Sequence, residues 1–127
     1  MGDYSKQRMQ VNNAQDLRFD GQLIQEYSTQ NRDGTKDRWT EIRLWETEGG
    51  SWIVEQVGCS KRAGESNLRD ALVFEEVRNE FEESVSDAEA KDYQRELHEK
   101  VMTFLGWTAV AKAFAKQAGW EVVRHVP

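Results

Sequence analysis

Hydrophobic and polar residues alternate through the first half of the chain and recur three and four apart through much of the second. In residues 17–27, LRFDGQLIQEY, the side chains Leu17, Phe19, Leu23 and Tyr27 lie on alternate positions, the period of a half-buried strand. Gly21 interrupts that face and marks a candidate bulge. Residues 31–38, NRDGTKDR, are turn chemistry, with Asp33-Gly34 supplying a residue tolerant of positive φ. Residues 39–47 read as the next strand, Gly49-Gly50 as a two-residue hairpin turn, and residues 51–59 as a third strand. Beyond the polar loop SKRAGESN at 60–67, the segment RDALVF at 69–74 reads as a fourth short strand or a helix start.

The period then changes. Val77 and Phe81, four apart, mark a short amphipathic turn or two, and Ser86 with Glu89 forms a capping box that starts the longest helix. Tyr93, Leu97, Val101 and Leu105 form its apolar stripe, with Phe104 beside it and Gly106 in the place of a left-handed cap. Thr108 caps a second helix carrying Val110, Ala111, Phe114 and Ala118, closed by Gly119. Residues 120–126, WEVVRHV, are β-branched and alternating, the pattern of a short final strand. The expected fold is α+β: an antiparallel β-meander of three to four strands packed against two to three C-terminal helices, with that final strand rejoining the sheet. Beyond Met1, residues 1–16 hold only Met9 and Val11 as sizeable aliphatic side chains, and read as a flexible polar N-terminal tail before a single domain at 17–127.

The hairpin at 38–58 carries Trp39, Trp45 and Trp52, three of the five tryptophans. A two-residue turn at Gly49-Gly50 sets Trp45 opposite Val54 and Thr47 opposite Trp52. Facing residues share a side of the sheet. One face then gathers Trp39, Arg43, Trp45, Trp52 and Val54, and the other gathers Ile42, Leu44, Ile53, Val57 and Cys59. A three-residue loop would instead pair Trp45 with Ile53 and leave both faces half apolar. Tryptophans in such a place either fill a core or present a binding surface, since Trp and Arg are the side chains most enriched at interface hot spots.

Charge narrows the partners. The chain has 127 residues and a formal net charge of −6, which disfavours sequence-independent nucleic-acid binding. Acidic residues outnumber basic ones by 8 to 2 between positions 75 and 92; such a run is a solvated helix face or an imitation of phosphate spacing. Arg32, Lys36 and Arg38 in one loop and Lys61 and Arg62 in another emerge at the same end of a meander, opposite the Gly-Gly turn. They make a candidate anion-binding or docking end, assisted by backbone N–H groups near Ser60 and Gly64.

No apolar run reaches the length of a membrane span. The N-terminus lacks the apolar core of a secretory signal, and Lys6 breaks a myristoylation motif. The single cysteine, Cys59, excludes an internal disulfide, so a cytoplasmic location is expected. Cys59, His98 and His125 match no zinc spacing, and no phosphate loop or nucleophile elbow occurs. No cofactor, metal or catalytic residue is therefore expected. The residues favour a non-enzymatic protein-binding accessory protein, of the kind mobile elements carry, that masks a basic nucleic-acid-binding partner. A small anionic ligand-binding module using the basic loop end is the alternative, and a small enzyme using Cys59 is third.

Overall fold

The computed structural model describes residues 4–74, 87–121 and 126, with residues 87–90 described by their backbone alone. Contacts divide the chain into two compact units, Met1–Glu76 and Val77–Pro127. The first is an antiparallel sheet of five strands in consecutive order: β1 (Ser5–Met9), β2 (Leu17–Ser28), β3 (Arg38–Thr47), β4 (Trp52–Ser60) and β5 (Leu68–Phe74). The fold is thus α+β with a meander, but the strand count exceeds the expected three to four. The additional strand, β1, lies inside the segment expected to be a polar tail. It pairs with β2 from Ser5↔Gly21 to Met9↔Leu17. Its sequence, SKQRM, shows no alternation because it is an edge strand in which Met9 alone is buried.

Two irregularities decide which side chains share a face. The bulge in β2 falls between Leu23 and Gln25 rather than at Gly21. Ile24 is the extra residue, so Tyr27 turns to the face opposite Leu17, Phe19 and Leu23. Gly21 has a different reason to be glycine: a Cβ there would lie 2.5 Å from the Phe19 ring, which packs against its backbone. The β3–β4 turn is the second irregularity. Glu48, Gly49 and Gly50 form a three-residue loop, with Thr47 N–H bonded to the Ser51 carbonyl at 2.9 Å and Gly50 N–H to the Thr47 carbonyl at 3.0 Å. Gly50 takes a φ of 91°, open to glycine at no steric cost. The Thr47 hydroxyl accepts from Ser51 N–H at 2.9 Å and holds the extra residue in place.

The consequence is a register one residue from the two-residue expectation. Trp45 faces Ile53, Leu44 faces Val54 and Glu46 faces Trp52. All of β4 therefore changes sides relative to β3. Ile42, Leu44 and Val54 are buried on one face, and Ile53, Val57 and Cys59 on the other. Near one end the sheet bends round on itself: Asn12 N–H donates to the Arg69 carbonyl at 2.9 Å, and the Asn12 side chain accepts from Arg69 N–H. The connection after β1 is thereby tied to β5, four strands away.

The second unit holds two helices among the described residues, α1 (Asp87–Leu105) and α2 (Ala109–Ala118). Leu97, Val101, Met102 and Leu105 of α1 are buried, as are Ala111, Phe114 and Ala115 of α2, which is the expected stripe displaced slightly. Both helices end in a paired-bond cap. Gly106 N–H reaches Thr103 and Trp107 N–H reaches Met102; Gly119 N–H reaches Lys116 and Trp120 N–H reaches Ala115. Thr108 caps α2, its hydroxyl accepting from Ala111 N–H at 3.1 Å. Trp120 then packs back, stacked on His98 at 4.1 Å and edge-on to Phe114 at 5.4 Å. Burial there pushes the His98 imidazole below its ordinary value. The turns expected around Val77 and Phe81, the Ser86 capping box, and residues 122–125 of the expected final strand lie outside the described residues. No helix among the described residues is long and apolar enough to cross a membrane.

Candidate functional site

The shifted register divides the tryptophans. Trp39, Arg43 and Trp45 alternate along β3 and share one face, but Trp52 pairs with Glu46 and lies on the other. The single aromatic face expected from a two-residue turn is therefore not formed. All three tryptophans are half-buried.

The face holding Trp39 and Trp45 is concave. One cavity of about 410 Å³ is lined by Gln7 and Met9 of β1, Phe19 of β2, Trp45 of β3, Glu55 of β4 and Arg69 of β5. Only a curled sheet brings all five strands to one hollow. Phe19 and Trp45 meet edge to face at 5.7 Å. Deeper along the same face, one cation serves three carboxylates: Arg43 donates to Glu26 at 2.7 Å, to Glu55 at 3.4 Å, and to Glu41. Trp39 Nε1–H also donates to Glu41, at 2.8 Å. Burial would pull the Arg43 guanidinium down, but its three carboxylates hold it above its ordinary value. Burial likewise pushes Glu41 up, and the Trp39 and Arg43 donors more than reverse it. Arg43 is thus an internal fastening of the sheet. Among the described residues the buried Trp45 Nε1–H has no acceptor.

A second hollow, of about 620 Å³, opens at the end away from the Gly-Gly turn, lined by Thr40, Gly58 and Leu68 from the opposite face and also by Trp39 and Cys59. It is lined by Gly58 of β4, which lies in register between Thr40 of β3 and Leu68 of β5. Arg38, Ser60 and Glu65 stand at its rim. Gly58 differs from Gly21. A Cβ built on Gly58 would meet its nearest neighbour, Leu68 Cβ, at an ordinary 3.8 Å, and its φ is not positive. Nothing in the strand requires glycine here. Leu68 beside it is 69% exposed, an unusual waste of a leucine in a strand.

The basic loop residues do come together at this end. Lys61 N–H donates to the Asp37 carbonyl at 2.8 Å, joining the two loops. The side chains are engaged within the protein. Arg38 donates to Glu65 through Nε at 3.0 Å and through Nη2 as well. Lys36 Nζ donates to the Thr29 carbonyl at 2.6 Å, and Arg62 lies 4.0 Å from Asp37. Lys61 Nζ donates to the Gly34 carbonyl and sits 5.6 Å from the centre of the Trp39 ring. Arg32 is exposed on the outer turn.

The Glu65 carboxyl is held at about 2 by the Arg38 hydrogen bond first and the Ser60 hydroxyl second. A carboxylate with a depressed pKa contributes its interaction above its ordinary value, 4.5, and loses it as pH falls toward about 2. An acid titration followed by NMR should place the Glu65 midpoint near 2, and Arg38→Met should return it toward 4.5. A wild-type midpoint already at the ordinary value would show that the pair does not persist in solution.

Cys59 borders the same hollow but is buried, with its thiol 3.8 Å from the Val57 carbonyl. Burial, and then the nearby Glu41 charge, raise its pKa, which disfavours the thiolate that nucleophilic chemistry uses. Among the described residues no three His, Cys, Asp or Glu side chains gather in a metal-holding group. The two loops expected at one end do meet there, with Glu65 of the second among the acids set against the basic residues, while Thr40, Gly58 and Leu68 were not singled out from the sequence. The available signal was a glycine inside the β-branched run of residues 53–59. Set against known family models, curated proteins and solved structures, the chain matches none.

Proposed function

We propose that the protein is a small-ligand-binding module whose site is the hollow over Gly58. The observation that carries this reading is a strand glycine, with room for a side chain, lining a cavity of about 620 Å³. Glycine in a strand interior sacrifices about 0.5–1 kcal/mol against a residue with a side chain. Where neither φ nor a close neighbour demands it, the space it leaves is the feature to explain. A volume between about 300 and 1,000 Å³ with an apolar floor and a few convergent polar groups is the ordinary description of a ligand site. The protein-binding reading drew on three tryptophans sharing one face and its masking form on the acidic run at 75–92; the register sets Trp52 on the other face, and Trp39 lines the hollow proposed here.

Gly58→Val tests the proposal. Valine suits a strand better than glycine, so the variant should fold with unchanged or higher stability in thermal unfolding. Small aromatic fragments should shift the Gly58, Ser60 and Leu68 amide resonances of the wild type and leave the variant's corresponding resonances unmoved. Fragments that bind both proteins equally, or that perturb only the concave face around Phe19 and Trp45, would overturn the assignment.

A further inference from the structure

We infer that the hollow over Gly58 selects an uncharged ligand with an apolar body and a hydrogen-bonding group, rather than the anion that its basic loops suggest. The inference rests on the site assignment above. It follows from how charge is arranged at the rim. Among the described residues, Arg38 and Glu65 are the only charged ones lining the hollow, and they carry opposite signs. They are bonded to each other through both Arg38 nitrogen contacts, and the Ser60 hydroxyl donates to the same carboxylate. Of the surrounding cations, Lys36 and Lys61 are held by the Thr29 and Gly34 carbonyls and Arg62 lies beside Asp37, while Arg32 stands out on the turn, away from the lining residues.

An anionic ligand seated on Arg38 would have to displace Glu65, which stays ionised down to about pH 2, and leave that carboxylate beside its own charge. A cationic ligand seated on Glu65 would strand Arg38 in the same way. Either exchange replaces one ion pair with another and adds a repelled charge, so it gains little. A neutral ligand leaves the pair closed. It also covers the most exposed leucine of the sheet, Leu68 at 69%, where burial of apolar area supplies the affinity. The Thr40 and Ser66 hydroxyls at the wall give its polar group somewhere to bond.

Three probes of one shape test the inference: benzyl alcohol, benzoate and benzylammonium, titrated against the full chain by NMR at the Gly58 and Leu68 amides. Benzyl alcohol should bind at least about tenfold more tightly than either ion. Glu65→Gln, which leaves Arg38 unpaired, should improve benzoate binding severalfold, and Arg38→Met should do the same for benzylammonium. Wild-type preference for either ion, or equal binding of all three, would overturn the neutral selectivity while leaving the site in place. Failure of all three probes to shift these amides, in wild type and in both rim variants, would instead remove the site itself and the selectivity with it.

Discussion

Arg43→Met should lower the stability of the sheet unit by about 3 kcal/mol, because it removes the one cation that Glu26, Glu41 and Glu55 share. Glu55 is the only charged residue buried to 6% exposure among the described residues. Breaking a fully buried pair costs about 3–5 kcal/mol, since the abandoned charge has no water to turn to. The Arg43 side chain keeps 23% of its surface exposed and the Glu26 side chain 48%, so solvent moderates the loss to the low end of that range. Methionine fills most of the volume, so the loss reports charge rather than a cavity. The deficit should narrow as falling pH protonates Glu41. Its carboxyl is held, against burial, below its ordinary value by the Trp39 and Arg43 donors, and loses their stabilisation as it takes up its proton. A second change, Glu55→Gln, should recover part of the deficit at neutral pH. Urea unfolding at neutral and at acid pH measures both effects. A deficit under about 0.5 kcal/mol at neutral pH would mean that these contacts behave as ordinary surface pairs.

Much of the fold was legible because period alone carries it. Alternation located the strands at 17–27, 39–47, 51–59 and 69–74 to within a residue of β2, β3, β4 and β5. The four-residue spacing of Leu97, Val101 and Leu105 located the buried side of α1. The losses came where one residue decides the outcome. Edge strand β1 has water on most of its surface, so SKQRM carries no alternation to read. The bulge at Ile24 follows from how β2 meets β3, and the glycine that resembled its cause was serving the Phe19 ring instead. At Glu48-Gly49-Gly50 two turn geometries were compatible with the same letters, and the Thr47 hydroxyl chose between them.

The candidate site shows the same division. That the 31–38 and 60–67 loops meet follows from meander connectivity, and it was read from the sequence. That their cations are satisfied by Thr29, Gly34, Asp37 and Glu65 depends on side-chain placement. Counting basic residues therefore found where the two loops meet, and left unread how each cation is partnered. Gly58 was hidden for a related reason. A glycine reads as a turn or a bulge by default, and only its neighbours reveal that it is neither.

The register itself has a quantitative test. Leu44 faces Val54 on one side of the sheet, with Leu44 at 2% and Val54 at 0% exposure. Leu44→Ala should therefore destabilise by about 2–4 kcal/mol, and Val54→Ala by about 2 kcal/mol, through lost burial and the cavity each leaves. Because the two side chains touch across the strands, the double variant should fall short of the summed losses by about 0.5–1.5 kcal/mol, as neighbours sharing one cavity do. Trp45 and Val54 lie on opposite faces in this register, so truncating both should be additive to within about 0.5 kcal/mol. A two-residue turn at Gly49-Gly50 reverses the pattern, coupling Trp45 to Val54 and leaving Leu44 to face Glu55. Unfolding free energies for the four single and double truncations, with Trp45→Ala completing the set, decide between the two registers. They decide the site as well, because a one-residue slip of β4 would turn Gly58 to the concave face and close the hollow on which the ligand reading stands.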